Sequence, residues 1–184
     1  MDTFAIAARI SRALPPFRGK GRMTLGLRSL LMGTNPIVHC QMAAGHRLRL
    51  DCRVQSHCWA YFSGQYDDAK ISTLLSFLRP NGVALDVGAN IGFYTVPMAR
   101  VAKVLGARIV AVEPIASNCE WLEYNLPLNG CKEIVDVWPF ALSDKEGEAR
   151  MILSEGFLAG GTVGNAMIDS PHYGDDDFKR ATSH

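Results

Sequence analysis

Apolar and polar residues alternate over the first half of RLRLDCRVQSHCWAYF, the segment that begins at Arg47. An alternation with a period of two is typical of a half-buried strand, and the preceding AAGH supplies a turn from an earlier strand at 36–42. Further along, apolar residues recur at helical spacing, after two aspartates and before RPNG: Ile71, Leu74, Leu75 and Leu78. The pattern therefore predicts a β-hairpin followed by an amphipathic helix.

From residue 83 onward, short apolar runs alternate with helical patterns. Buried strands are predicted at 83–87, 108–113 and 134–142, and a short antiparallel continuation at 149–153. A helix is predicted from about 94 to 104, because Pro97 then falls in the first turn, where a missing N–H costs little. A second helix is predicted to begin at a capping box formed by Ser117 and Glu120. The order strand, helix, strand, helix, strand indicates an α/β fold with a parallel sheet and right-handed crossovers.

Length and composition fit one globular unit. The chain has 184 residues, of which 48% are hydrophobic, enough for a substantial core. Its N-terminal MDTFAIAARISRAL predicts a short amphipathic surface helix and no signal peptide, since Arg9 and Arg12 interrupt the apolar residues. No run is long enough to span a membrane. The five cysteines are odd in number and include no C-x-x-C pair, which favours a reduced, cytoplasmic protein.

Charge is distributed unevenly along the chain. Residues 1–60 contain nine Lys or Arg against two Asp, whereas the remainder contains ten against sixteen acidic residues. A basic N-terminal third can indicate an acidic partner such as nucleic acid, a phosphorylated sugar or a membrane surface. These basic residues neither cluster tightly nor interleave with aromatic residues, so a solvated extension is favoured and nucleic-acid binding is disfavoured.

The carboxyl ends of the predicted parallel strands are where an open sheet binds its ligands. The first strand ends in Asp86 and a glycine turn, the second in Glu113, and the third in the corner at 141–144. A glycine turn lets the backbone approach a ligand, and an acid at the end of the second strand can bind both hydroxyls of a ribose. Glu113 follows Gly92 by 21 residues, which is the spacing of nucleoside-binding sites.

The turn has the order G-x-N-x-G rather than the dinucleotide order G-x-G-x-x-G, and the bulky Phe93 follows it. Binding of a pyrophosphate is therefore disfavoured. Asp86 would repel a diphosphate but attract the ammonium of a methionine moiety, so it indicates a cationic ligand. Two simpler interpretations stay open: Asp86 accepts backbone N–H groups of the turn, and Glu113 is an exposed carboxylate at a strand end.

Three segments resemble the FkbM family of S-adenosyl-L-methionine-dependent methyltransferases: VALDVGANIGFYTVPMA, IVAVEPIASNCEWLEYNLPLNG and PFALSDKEG. The resemblance covers residues 64–153, and GQYDD also resembles a family segment that often contains Tyr-Glu, with Asp67 in place of the acid. It implies a Rossmann-like class I methyltransferase sheet, S-adenosyl-L-methionine as cofactor, and O-methylation of a small-molecule hydroxyl acceptor, a sugar or natural product.

The family resemblance also implies roles for individual residues. The turn would wrap the cofactor, Glu113 would hold its ribose, and the corner at 141–144 would face its adenine. The cofactor-binding residues so implied are Asp86, Gly88, Ala89, Asn90, Gly92, Glu113, Pro114, Ala141, Leu142 and Asp144.

No catalytic residue is assigned. A hydroxyl acceptor can require a general base, and four histidines qualify by residue type alone: His39, His46, His57 and His172. No metal site is predicted, because the acidic run at 175–177 is typical of a solvated tail.

Three regions are expected: a basic extension with the hairpin at 1–63, a partial S-adenosylmethionine-binding α/β domain at 64–155, and a glycine-rich irregular tail at 156–184. The family continues with a segment resembling V-D-L-I-K-I-D-V-E-G, which this chain lacks. The sheet is therefore expected to be incomplete, with the strand at 83–87 as an open edge.

Three explanations are compatible with such an edge. The favoured explanation is a chain shortened relative to a longer parent. The alternatives are an edge covered by the hairpin or by another subunit of a homo-oligomer, and a remnant that binds cofactor poorly. Two functional alternatives follow: a non-catalytic interaction protein, and an NAD-type oxidoreductase.

Overall fold

The computed structural model describes residues 3–15, 26, 36–144, 146–148, 151–153 and 166–168. The helices are α1 (Thr3–Ala13), α2 (Gln55–Ser63), α3 (Asp68–Phe77), α4 (Thr95–Leu105) and α5 (Ala116–Asn125). The strands are β1 (Ile37–Gln41), β2 (Arg47–Asp51), β3 (Val83–Val87), β4 (Arg108–Val112), β5 (Val135–Trp138), β6 (Met151–Leu153) and β7 (Ala166–Ile168). Two short 3-10 helices, Pro127–Asn129 and Lys132–Ile134, connect α5 to β5.

The strands form three separate sheets. β3, β4 and β5 pair in that order and in parallel, β1 pairs with β2 as an antiparallel hairpin, and β6 pairs with β7. The α/β fold, the hairpin before it and the parallel sheet are therefore confirmed. Pro97 lies in the first turn of α4, as expected from its missing N–H.

The core lies between the parallel sheet, the hairpin and the helices. Ile109 and Ala111 of β4 are fully buried beside α4, and Leu48 and Leu50 of β2 are fully buried on the hairpin. Arg12 connects α1 to the hairpin and to α2, since its guanidinium donates to the carbonyls of Gln41 and Tyr61. The predicted N-terminal helix thus packs on the core through one face.

In the part of the chain that the structure describes, β3 has one exposed face and one open edge. Val83, Leu85 and Val87, which alternate along β3, are 71%, 55% and 58% exposed. Among the described residues β3 pairs with β4 alone, so the open edge is confirmed. The hairpin forms its own sheet and packs against α5, which rules out the hairpin as the cover of this edge.

Several boundaries differ from the sequence predictions. The predicted capping box is wrong: α5 begins at Ala116, Ser117 lies inside the helix, and its buried hydroxyl has no hydrogen-bond partner. The third parallel strand ends at Trp138 and not at Leu142. α2 was not predicted, and β7 lies within the segment expected to be irregular. The acidic run at 175–177 lies outside the described residues.

Candidate functional site

The turn that follows β3 lies against the end of β4. The N–H groups of Gly88 and Ala89 both donate to the carbonyl of Val112, at 2.8 and 3.0 Å. Asn90 takes a left-handed conformation with φ of +50°, and its side-chain Oδ1 accepts the N–H of Ile91 at 2.8 Å. These bonds fix the path of the chain between the sheet and α4.

Every backbone N–H from 88 to 92 has a partner within the protein. The N–H of Asn90 donates to Glu113 Oε2 at 2.8 Å, and the N–H of Gly92 donates to the carbonyl of Ala89 at 2.9 Å. Phosphate-binding loops present free N–H groups to their anions. This turn therefore presents no free N–H donor to a phosphate, which independently supports the sequence argument against a pyrophosphate.

The two glycines of the turn have different surroundings. A Cβ on Gly88, at φ of +80°, would meet no atom within 4 Å, so this glycine borders open space. A Cβ on Gly92, at φ of +97°, would lie 2.8 Å from Leu122 Cδ1 and 3.0 Å from Val96 Cγ2. Gly88 thus leaves room for a ligand, whereas Gly92 permits α5 to pack closely against the turn.

Glu113 is 5% exposed and connects the turn to α5. Its Oε2 accepts the N–H of Asn90, while Oε1 accepts the N–H of Ile115 at 3.1 Å and Asn118 Nδ2 at 3.2 Å. The carboxylate therefore supplies the helix-end acceptor that the sequence assigned to Ser117. A carboxylate can accept about four hydrogen bonds, so one acceptor position of Oε2 is left for a ligand.

Asp86 points toward the start of α4, where Thr95 Oγ1 donates to its Oδ2 at 2.6 Å. Burial raises the pKa of Asp86 above its usual range, the nearby Glu113 carboxylate adds to this rise, and the bond from Thr95 opposes it. Among the described residues neither Asp86 nor Glu113 is in an ion pair. Within the described part of the chain, the two carboxyl groups at this end of the sheet thus have no cationic partner.

The structure places part of the predicted cofactor set together. Asp86, the turn and Glu113 share one end of the sheet, and the N–H of Glu113 donates to the carbonyl of Trp138 on β5 at 3.0 Å. Pro114 directly precedes α5. The corner at 141–144 lies beyond the end of β5, with Leu142 exposed and the Ser143 hydroxyl donating to Asp144 Oδ1 at 3.2 Å.

Beside the turn lies a surface group formed by Asp67, Lys70 and Tyr94. The Tyr94 hydroxyl donates to Asp67 Oδ2 at 2.7 Å, and Lys70 Nζ lies 3.0 Å from the same oxygen. These two hydrogen bonds lower the pKa of Asp67. The neighbouring Tyr66 stacks on Phe93 with ring centroids 3.8 Å apart, so the bulky Phe93 side chain belongs to the core and does not face the turn.

The histidines lie apart from the glycine turn or deep in the core. His39 contacts the Tyr124 hydroxyl at 3.2 Å, and His57 accepts the N–H of Asp51 through Nδ1 at 3.3 Å. His46 is 1% exposed, and neither of its ring nitrogens has a hydrogen-bond partner. Burial lowers the pKa of both His46 and His57 to about 4. His172 lies outside the described residues.

Replacing His46 by leucine is expected to stabilise the chain by about 1–2 kcal/mol at pH 7, because it removes an unsatisfied buried imidazole. Between pH 6.5 and 4 the unfolded chain binds protons that the folded histidines do not, so stability is lost as pH falls. Each of the two buried histidines, His46 and His57, should lower the free energy of unfolding by about 2 kcal/mol between pH 7 and pH 5. His46→Leu should remove the part of this loss that is due to His46. Urea unfolding at both pH values measures this, with His39→Leu as the exposed control. A variant less stable than wild type at pH 7 would refute the argument.

Three basic residues among the described part of the N-terminal third make contacts within the protein. Arg53 forms a bidentate pair with the buried Asp51, at 2.7 Å for the closer contact. The Arg47 guanidinium donates to the carbonyl of Leu128 at 2.6 Å, and that of Arg49 lies 4.5 Å from the ring centres of both Trp121 and Tyr124. Arg47 and Arg49 thus link the hairpin to α5 and to the 3-10 helix that follows it.

A groove of about 450 Å³ runs along β5, away from the glycine turn. Its lining includes two ion pairs, Arg108 with Asp136 and Lys132 with Glu123. Within the part of the chain that the structure describes, no helix is long and apolar enough to cross a membrane.

No protein-family model matches the chain. The AMB antimetabolite synthetase AmbE of Pseudomonas aeruginosa is 39% identical over 80 residues, which is 44% of this chain and 4% of that protein. Among solved structures, P. horikoshii TYW2 in complex with MeSAdo has a TM-score of 0.48 and 20% identity, over 64% of this chain and 41% of that one. M. jannaschii TYW2 in complex with AdoMet has a TM-score of 0.45 and 19% identity, over 58% and 44% of the two chains. The chain thus spans less than half the length of each of these proteins.

Proposed function

We propose that this chain binds S-adenosyl-L-methionine at the glycine turn and serves methyl transfer to a hydroxyl of a sugar or natural product, as an FkbM-type class I methyltransferase domain. The observation that supports this most directly is the chemistry of the turn. Its five N–H groups are all hydrogen-bonded within the protein, and the two carboxyl groups at the ends of β3 and β4 form no ion pair with a described residue. Such a site suits a cationic nucleoside and disfavours a diphosphate.

Each part of the cofactor has a matching group in this arrangement. The space beside Gly88 admits a ligand close to the backbone. Asp86 would pair with the ammonium of the methionine moiety, and the remaining acceptor position of Glu113 would receive a ribose hydroxyl. The raised pKa of Asp86 agrees with a carboxylate that has no cation beside it in the free chain.

The bound cofactor supplies an activated methyl group on a sulfonium, so the protein has to orient the acceptor oxygen and exclude water. A small-molecule acceptor is favoured over nucleic acid, because three of the described N-terminal arginines, Arg47, Arg49 and Arg53, contact Leu128, the aromatic rings of α5 and Asp51. An NAD-type oxidoreductase is disfavoured, because every N–H of the turn at 88–92 is already hydrogen-bonded within the protein.

Calorimetric titration with S-adenosylhomocysteine and with NAD tests the ligand. Binding of the first and not of the second is expected. Asp86→Asn should weaken S-adenosylhomocysteine binding about 10-fold or more, the loss expected for one charge-assisted hydrogen bond. Asp136→Asn, at an exposed position paired with Arg108, is the matched control and should leave the affinity unchanged. If the Asp86→Asn variant keeps the wild-type affinity, Asp86 does not contribute to ligand binding and its role is the hydrogen bond with Thr95.

A second candidate, a non-catalytic cofactor-binding protein, is favoured by one observation. The described part of the sheet ends at β3, whose edge and face are open where an acceptor-binding half would pack. The two candidates differ in turnover: incubation with S-adenosyl-L-methionine and a panel of hydroxyl acceptors yields S-adenosylhomocysteine with a methyltransferase and none with a non-catalytic protein.

A further inference from the structure

Two asparagines four positions apart hold the outer edge of β2. Asn129 Oδ1 accepts the N–H of Arg47 at 2.8 Å, and its Nδ2 donates to the carbonyl of the same residue at 2.8 Å. Asn125 repeats this at Arg49, where its Oδ1 accepts the N–H at 2.7 Å and its Nδ2 lies 3.5 Å from the carbonyl. The two amides thus continue the hydrogen bonding of β2 in place of a further strand.

Asn129 Nδ2 also donates to the carbonyl of Asn125 at 2.8 Å, whereas the further contact of Asn125 lies on another element. Asn125 Nδ2 donates to the carbonyl of Ile91 at 2.9 Å, inside the glycine turn. Asn125 and Ile91 are both fully buried, so water is not at hand to replace this bond. The Arg49 N–H fixes which end of the amide faces β2, and this orients Nδ2 toward the turn. The side chain of Asn125 therefore connects the hairpin to the turn.

We propose that Asn125 is a positioning residue for cofactor binding, through which the N-terminal hairpin sets the geometry of the turn at 88–92. This inference rests on the proposed function. Without the amide, the buried carbonyl of Ile91 has to find another donor, and the turn shifts to provide one. The N–H groups of the turn that donate to Val112, Glu113 and Ala89 then lose their alignment. The space beside Gly88 changes shape as well.

The test compares Asn125→Ala with Asn129→Ala in the full chain. Asn129→Ala removes the corresponding pair of bonds to β2 and the bond to the carbonyl of Asn125, but no bond to the turn, which makes it the control. S-adenosylhomocysteine affinity should fall about 10-fold or more in Asn125→Ala and change less than about 2-fold in Asn129→Ala. Equal losses in the two variants would show a general effect of hairpin stability and overturn the proposal.

Hydrogen exchange of peptides spanning 88–92 in the ligand-free chain gives a second readout. Exchange there should be about 10-fold faster in Asn125→Ala and unchanged in Asn129→Ala. If wild type binds no S-adenosylhomocysteine yet this difference is seen, the proposed function fails and the coupling of hairpin to turn stands. Unchanged exchange in Asn125→Ala refutes the coupling whatever the ligand.

If the Asn125→Ala variant does not fold, Asn125→Ser is tested in its place. Serine keeps a hydroxyl donor on a shorter side chain. The exchange rate and the affinity of this variant should lie between those of wild type and those expected for Asn125→Ala. Values equal to wild type in both measurements would again contradict the role.

Discussion

Gly92→Ala is expected to lower the free energy of unfolding by about 3 kcal/mol or more, the sum of a side chain forced into a positive φ and an overpacked contact. The new methyl would lie 2.8 Å from Leu122 Cδ1 and 3.0 Å from Val96 Cγ2, both in buried residues. Because Leu122 and Val96 are fully buried, moving either side chain away disturbs the packing around it. Chemical denaturation followed by circular dichroism measures the loss.

Gly88→Ala is the control, because it carries the same kind of positive φ without a neighbour within 4 Å. It should cost about 1–2 kcal/mol in stability. Its methyl would enter the space assigned to the cofactor, so S-adenosylhomocysteine affinity should fall more in this variant than its stability loss explains. Equal stability losses in the two variants would contradict the close packing of α5 at Gly92.

Glu113→Gln is expected to lower both stability and cofactor affinity. The glutamine has about the same shape but replaces one acceptor oxygen with an NH₂ group, which then faces the N–H of Asn90 or the donors of Ile115 and Asn118. One buried donor loses its acceptor, at a cost of about 1–3 kcal/mol in the free energy of unfolding. Loss of the ribose contact adds to this, so affinity for S-adenosylhomocysteine should fall about 100-fold.

Glu120→Gln provides the comparison for Glu113, since Glu120 is an exposed residue of α5, the helix that follows Glu113. It should alter stability by less than about 0.5 kcal/mol and leave the affinity unchanged. Urea denaturation and calorimetric titration of both variants separate the two effects. A stable Glu113→Gln chain with wild-type affinity would show that the carboxylate is dispensable for both roles.

Local patterns were sufficient where one face of an element is buried. The alternation at 47–51 predicts β2, and the helical spacing from Ile71 predicts α3, because in both cases burial selects every second or every third to fourth residue. α2 has no such signal: His57, Cys58, Ala60, Tyr61 and Phe62 are all buried, and a helix buried nearly all round shows no period.

The site was predicted less completely than the fold, for a physical reason. Ser117 and Glu120 have the spacing of a capping box. In the structure, however, the N–H of Ile115 at the start of the helix donates to Glu113. Thr95 as the partner of Asp86, and Asn125 as the link to Ile91, join side chains on different elements. Such pairings depend on how helices and strands pack, and no local spacing encodes them.

The bare face of β3 also shapes the thermal behaviour of the chain. Unfolding raises the heat capacity of a protein mainly through the apolar surface newly exposed to water, typically by about 12–15 cal/mol/K per residue. Val83, Leu85 and Val87 are already largely in water before unfolding, at 71%, 55% and 58% exposure. This strand therefore contributes less than its composition suggests to the heat-capacity change, and the curve of stability against temperature is correspondingly flatter.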